Sequence, residues 1–491
     1  MQQLSGLDAA FLYMENDSAP MHIGGLAIYD QSEAPDGLIR FKDILEQLES
    51  RLHLARCYRQ KIIDVPLNLD YPYWIEDSNF DLEFHVRHIA LPKPGDWRQL
   101  CIQVARLHSR PLDRARPLWE MYIIEGLDNV PGLPKNSFAV FSKIHHAAID
   151  GASGAEITGS LHDIVPGAEP PMPTEAWIPE RDPATLELLA RTQVNNIRQP
   201  FRLMNVMRQR VPAFARAMSQ LQRDKKVPNA RVAPRTRFNG QVSPHRAFEG
   251  RTFLLDEVKG IRKFVEGATV NDVILTVCSG AMQKYLQAKN ELPSETLIAG
   301  APINVRSKNE EGSAGNQVSM MLLPLHTDIE DPLLRLETIY ESTQSTKEVN
   351  EAVDARTMTD FYQFVPAALA GLAGRLYTSM GVANQMQPFL NTVITNVPGP
   401  QVPLYMGHAR LIAQYGTGPV LDGMGLIQPV FSYNGTITVA ATACREMMPD
   451  PEFYAECLQN SYDDLCAETI NKKAPAKRRR TTRKTSSKNA K

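Results

Sequence analysis

The 491-residue chain has no run of about eighteen apolar residues, so nothing in it is expected to span a bilayer. The nearest approach, Val365 to Gly374, is too short and is followed by Arg375. Cysteine is sparse: Cys57, Cys101, Cys278, Cys444, Cys457 and Cys466 are scattered, with no CxxC pair. That excludes zinc-ribbon spacing and, at this length, a small disulfide scaffold; reduced thiols are the simplest reading. The opening Met1 to Gly6 has neither the basic stretch nor the long apolar stretch of a signal peptide, so a cytoplasmic protein is expected. There is no GxSxG elbow, which argues against a serine hydrolase, and no HExxH metal spacing. Acidic residues are absent from Lys472 to Lys491, which carries +10, while the remainder carries −12. A near-neutral total of −2 thus hides an acidic body and a basic tail.

What is present is ordinary for a globular protein: 43% hydrophobic and 22% charged residues. Single cores stop growing at roughly 250–300 residues, so two domains are the default. The first part alternates strands and helices. His22–Tyr29, Phe84–Leu91, Trp119–Glu125 and Phe138–Ile144 read as strands, and Leu38–Leu54 and Trp97–His108 as helices. This predicts an α/β domain over 1–165. Residues 166–245 read as a linker. It is proline-rich from Pro166 to Pro183, then basic and amphipathic from Val194 to Lys226. A second α/β pattern fills 246–471. Its strands are expected at Thr252–Leu255, Leu297–Val305, Gln317–Leu325, Thr392–Asn396, Leu411–Tyr415 and Pro429–Ser432. Asn434-Gly435 predicts a hairpin into Thr436–Ala443. Val270–Tyr285 reads as a helix with one broad apolar face, and Pro451–Leu465 as the closing helix. Residues 472–491 are expected to be a disordered tail.

The chemistry concentrates at His145-His146-Ala147-Ala148-Ile149-Asp150-Gly151. By average residue usage, HHxxxDG should arise by chance in roughly one chain per thousand of this length. Adjacent side chains on a strand point to opposite faces, so His145 and His146 are poorly placed to share a metal. One catalytic and one structural imidazole is the better reading. Histidine titrates near neutrality and suits removal of an alcohol proton as its oxygen attacks an acyl carbonyl. Gly151 gives a tight turn or room for close approach. Asp150 either fixes an imidazole or pairs with an arginine; Arg306 is the candidate by residue type alone.

Further blocks accompany the motif: Pro111-Leu112-Asp113-Arg114, Pro117-Leu118-Trp119-Glu120, Asn271-Asp272, Asn396-Val397-Pro398-Gly399-Pro400, and Leu4-Ser5-Gly6-Leu7-Asp8 with Pro20-Met21-His22-Ile23-Gly24-Gly25. HHxxxDG alone would also suit condensation domains and other CoA-dependent acyltransferases. Together, and in this order from Leu4 to about Leu465, the blocks resemble the bacterial wax ester synthase/diacylglycerol acyltransferase family. The basic tail is outside that pattern.

The resemblance implies two chloramphenicol-acetyltransferase-like α/β domains with the active site in a tunnel between them. It implies His146 as the general base, a long-chain acyl-CoA as co-substrate, no resident cofactor or metal, and diacylglycerol or a fatty alcohol as acceptor. Transfer would be direct, without an acyl-enzyme. Asn271, in the first turn of a helix capped by Thr269, is the best oxyanion donor in the sequence; the plainer reading is that Asn271-Asp272 only caps. Trp119 and Glu120 are expected to shape the substrate site rather than react. Apolar substrates imply peripheral contact with an anionic membrane or lipid inclusion, through the Val194–Lys226 stretch or the tail; a domain-spanning helix and a solvated end are the plain alternatives. Specific nucleic-acid binding is not expected. Two other functions compete: a condensation-type enzyme with a carrier-bound donor, for which neighbouring carrier modules are missing, and a non-catalytic lipid-droplet surface protein, against which the intact HHxxxDG weighs.

Overall fold

The computed structural model describes residues 1–149, 159–172, 177–195, 197, 232–304, 318–352, 384 and 386–471. Asp150, Gly151, Arg306, the basic tail and nearly all of the Val194–Lys226 stretch lie outside them.

In chain order the first strands are β1 (Gln2–Gln3), β2 (His22–Asp30), β3 (Gln60–Ile63), β4 (Tyr73–Glu76), β5 (Val86–Ala90), β6 (Trp119–Glu125) and β7 (Phe138–His145). Then come β8 (Arg246–Leu254), β9 (Ile298–Asn304), β10 (Val318–Pro324), β11 (Thr392–Pro398), β12 (Tyr405–Met406), β13 (Ala409–Thr417), β14 (Leu426–Tyr433) and β15 (Thr436–Cys444). The helices are α1 (Gly6–Met14), α2 (Phe41–Glu49), α3 (Leu82–His85), α4 (Trp97–His108), α5 (Leu255–Ile261), α6 (Val270–Ala288), α7 (Pro332–Ala352) and α8 (Pro451–Asn471), with a further helix over 185–195.

Two six-stranded mixed sheets carry the fold, ordered β12-β13-β2-β7-β6-β5 and β10-β9-β11-β14-β15-β8. A small β1-β4-β3 sheet stands beside them. Sheet membership does not follow chain order: β12 and β13, from the second half, complete the first sheet, β13 running antiparallel to β2. The halves are therefore tied by a shared sheet. Gly24 on β2 makes this possible, since a Cβ there would lie 2.5 Å from Thr417 Oγ1 on β13 and 2.8 Å from the Ser142 carbonyl on β7. More ties cross between the halves: Trp97 Nε1 donates to Glu249 at 2.5 Å and Arg246 donates to the Ser18 carbonyl at 2.5 Å.

Strand β7 is buried along its length except at Ser142, which explains its near-continuous apolar run. Helix α6 has a capping box: Thr269 and Asp272 exchange side-chain-to-backbone bonds. Its expected single apolar face is instead an enclosed cylinder, with Asp272 through Gln283 all buried between the second sheet, α7 and α8.

Three expected elements differ. Phe84–Leu91 is not wholly strand, because Asp81 caps Glu83 N–H and starts the turn of α3 before β5 begins. Leu38–Leu54 shortens to α2 and two tight turns; the Asp43 carboxylate accepts the Arg40 N–H and sets the helix start. Helix α1 was not expected, although Ser5 caps it by accepting from Asp8 N–H at 3.1 Å. No helix among the described residues is long and apolar enough to cross a membrane.

Candidate active site

Strands β2 and β7 run antiparallel in a register that sets His22 opposite His145. Strand geometry ends there. His146–Ala148 turn into a single 3-10 turn, so the histidines diverge because the backbone turns rather than because a strand alternates. The turn is pinned by backbone bonds from both neighbouring strands: His145 N–H donates to the Leu118 carbonyl at 2.9 Å, and His146 N–H to the Met21 carbonyl at 2.8 Å.

The histidines have different surroundings. His145 is wholly buried. Its Nδ1 accepts the Ala147 N–H at 3.1 Å, which assigns the ring proton to Nε2. That Nε2 faces Glu15 Oε1 at 3.6 Å. With one nitrogen accepting and the other protonated, His145 has no lone pair for a substrate. His146 lies deep but keeps an accessible edge, and stacks on Phe11 with ring centroids 3.9 Å apart. Burial pushes its pKa down to about 4 against an opposing contact with its own backbone, and the neighbouring His145 adds a lesser lowering. It is thus neutral at pH 7 and able to accept a proton.

Glu15 was not singled out by the sequence. Burial raises its carboxyl pKa, but His145, the Arg114 guanidinium and the Met21 N–H outweigh burial and bring it to about 2. His22 and His108 are also buried. His22 Nε2 donates to the His108 carbonyl at 2.8 Å, and His108 Nε2 donates to the Gly418 carbonyl at 2.9 Å. Burial holds His22 well below its ordinary range and His108 at about 3. They tie β2, α4 and the segment after β13 together next to the motif.

Trp119 and Glu120 sit on β6 beside the motif, paired in register with Ile144 and Lys143. Both spend their polar atoms on protein. The Trp119 indole donates to the Tyr58 carbonyl at 2.9 Å and stacks on His85 at 4.6 Å. Glu120 pairs with the buried Lys143 at 3.1 Å and with Arg87 at 3.4 Å, and accepts from Tyr122 at 2.7 Å. Burial lowers the Lys143 pKa despite Glu120.

Asn271 stands on the second residue of α6, partly exposed, where its neighbour Asp272 is consumed by structure. Asp272 accepts from Thr269 N–H at 2.8 Å, Thr269 Oγ1 at 2.7 Å and Thr343 Oγ1 at 2.8 Å. Asn271 instead accepts from Asn396 Nδ2 at 3.1 Å, so two blocks 125 residues apart meet. Asn396 is delivered by β11, whose end is fixed where Gly399 N–H donates to the Ser432 carbonyl at 2.8 Å. A Cβ at Gly399 would lie 2.4 Å from that oxygen. Asp150, Gly151 and Arg306 fall outside the described residues, so the expected pairing of Asp150 with Arg306 has no geometry here. Among the described residues no cluster of metal-ligating side chains is found.

Residues 4–274 match the catalytic-domain model of the wax ester synthase/diacylglycerol acyltransferase family, and residues 314–466 match that family's C-terminal domain. The O-acyltransferase WSD of Acinetobacter baylyi is 36% identical over 460 residues, covering 91% of this chain and 93% of that one. A solved wax ester synthase/diacylglycerol acyltransferase from Marinobacter aquaeolei is similar with a TM-score of 0.66 at 26% identity, covering 96% of this chain and 100% of that one. The starter condensation domain of rhizomide synthetase, solved with C8-CoA, gives 0.53 at 14% identity, covering 96% and 95%. At that identity the likeness shows the shared two-domain fold alone.

Proposed function

The chain belongs to the wax ester synthase/diacylglycerol acyltransferase family, and from that premise we propose that it moves a long-chain acyl group from acyl-CoA directly onto the hydroxyl of diacylglycerol or a fatty alcohol, with His146 as general base. It is an O-acyltransferase by family. The observation that supports the finer reading is the division of labour at the turn: His145 is wholly buried with Nδ1 taken by the Ala147 N–H and Nε2 turned toward Glu15, while His146 is neutral, deep and still accessible.

In the reaction, a neutral His146 nitrogen takes the acceptor hydroxyl proton as that oxygen bonds to the thioester carbonyl carbon. The carbonyl oxygen becomes an oxyanion. Asn271, which uses its side-chain oxygen on Asn396, has its amide N–H groups left to donate to that oxyanion. Collapse breaks the carbon–sulfur bond, and the thiolate takes the proton back from His146. Ester and free CoA result, and no acyl-enzyme forms. A base at about 4 accepts protons reluctantly on its own. The oxyanion developing beside it supplies the opposite charge that makes the imidazolium favourable. Trp119 and Glu120 shape the wall behind the motif.

The acceptors are apolar, and we assign peripheral contact with lipid to the side of the molecule bearing the 185–195 helix. Leu67 is 85% exposed and Leu186 80% exposed, on elements joined by the buried Val65, Tyr73 and Leu188.

Thiol release from palmitoyl-CoA, with hexadecanol and with dioleoylglycerol, tests the reading. Acceptor-dependent release that falls by about 10²–10⁴-fold in His146→Ala is expected. The ratio between the acceptors separates wax ester from triacylglycerol synthesis. Undiminished release in the mutant removes His146 as the base. No release from folded wild type points to a carrier-bound donor or to a lipid-binding protein without turnover.

A further inference from the structure

We infer that Glu15, clamped by Arg114, is the positioning residue that sets the His145–His146 turn for catalysis. The inference rests on His146 being the base.

The contacts form a closed ring. Glu15 Oε1 accepts the Met21 N–H at 3.1 Å and faces His145 Nε2 at 3.6 Å. Met21 in turn accepts the His146 N–H through its carbonyl at 2.8 Å, and His145 Nδ1 accepts the Ala147 N–H at 3.1 Å. One carboxylate therefore fixes both a main-chain unit that holds His146 and the tautomer of the imidazole before it. The other oxygen, Oε2, is taken by Arg114, through Nη2 at 2.6 Å and Nε at 3.0 Å. The same guanidinium donates to the Leu12 carbonyl at 2.7 Å. It thereby satisfies a carbonyl at the end of α1 as well as the carboxylate.

Helix geometry explains why this region is suited to the task. Phe11 lies in the last turns of α1, and Glu15, four residues on, is the extended residue that ends that helix. Phe11 stacks on His146 while Glu15 faces His145, so the consecutive histidines are read by one short helix and the residue that ends it. Arg114 belongs to the Pro111–Arg114 block, whose arginine otherwise has no part in the chemistry. Around the pair stand His22 on β2, His108 on α4 and Lys143 on β7, all buried. Glu15 is the acidic group that faces His145. It touches no reacting atom; it acts through His145 and Met21.

The test uses the full-length enzyme with palmitoyl-CoA and dioleoylglycerol, and three variants. Glu15→Gln keeps the volume and removes the charge. It is expected to lower kcat roughly 10- to 100-fold, as loss of a residue that orients a functional histidine does elsewhere. KM for both substrates should stay within about twofold of wild type, because no substrate contact is lost. The acid limb of kcat/KM should move to lower pH, since an anion near the imidazoles is gone. Glu15→Asp keeps the charge and should hold the limb at its wild-type pH while restoring part of kcat. If neither Glu15 variant folds, Arg114→Gln frees the carboxylate and should lower kcat at unchanged KM. A purely structural Glu15 would lower the melting temperature and leave kcat per folded molecule and the limb unmoved, which overturns the proposal. Wild-type turnover in Glu15→Gln with a dead His146→Ala also overturns it and leaves the base assignment intact. Turnover retained in His146→Ala would instead sink the base reading itself.

Discussion

The two motifs proposed to carry the chemistry are held by opposite means. Asn271 stands on a helix start fixed by its own sequence: Thr269 and Asp272, three residues apart, cap each other. His146 stands on a turn whose local tie, the Ala147 N–H to His145 Nδ1 bond, is joined by contacts from distant chain. Its support comes from Phe11 on α1, Met21 before β2, Leu118 before β6, and Glu15 with Arg114 behind His145. A locally capped residue keeps its place when distant packing loosens. A residue held by distant packing is tuned by it, and its depressed basicity is a product of that burial. The acidic end of the pH scale and a single cap mutation should therefore damage different halves of the molecule.

The largest effect expected on the C-terminal side is chemical. Asn271→Ala should lower kcat by about 10²–10³-fold, the usual loss for one oxyanion donor, with little change in melting temperature because the cap is intact. Steady-state kinetics beside a thermal melt checks it; a kcat near wild type would return Asn271 to a capping neighbour.

Acid should act on the other side. The histidines His22, His85, His108 and His146 all have lowered pKa values, and all lie in or beside the first sheet. Each binds its proton more weakly folded than unfolded, so the unfolded chain holds more protons between the folded and unfolded values. Stability is whole above the unfolded value of 6.5 and falls as pH drops toward the folded one. His108, at about 3 against 6.5, costs up to about 3 kcal/mol by pH 4. Glu15, at about 2, keeps its contribution until pH falls below the ordinary carboxyl value of 4.5. Hydrogen exchange at pH 7 and pH 4.5 should show protection lost first in β2, β7 and α4. Earlier loss in α6 would contradict the comparison.

The smallest effect is local. Thr269→Ala should cost about 1 kcal/mol, the ordinary value of a lost helix cap, and Thr269→Ser should restore most of it. Denaturant titration measures both, and a loss several times larger would mean that the cap is coupled to β11 through Asn271 and Asn396.

Much of the fold could be read from residue patterns because its strands and helices announce themselves locally. Trp97–His108 has its expected bounds, and the Asn434-Gly435 hairpin joins β14 to β15. Helix α1 escaped notice although Ser5 and Asp8 signal its start, because its apolar residues form no long periodic stretch. The enclosure of α6 escaped for a different reason: periodicity reports one face, and whether α7 and α8 cover the other depends on where distant chain goes.

The candidate site divides along the same line. From the sequence alone came the histidine pair, the capped Asn271 and the family to which the blocks belong, since each is a matter of residue type and short spacing. Only tertiary structure decided that His145 Nδ1 is taken by the Ala147 N–H, that Glu15 and Arg114 stand behind it, that Asn396 reaches Asn271, and that β13 crosses into the first sheet. The physical reason is distance along the chain. A cap closes within three residues, whereas the Arg114–Glu15 pair spans 99 and the Asn396–Asn271 bond 125, and no local pattern encodes a partner that far away.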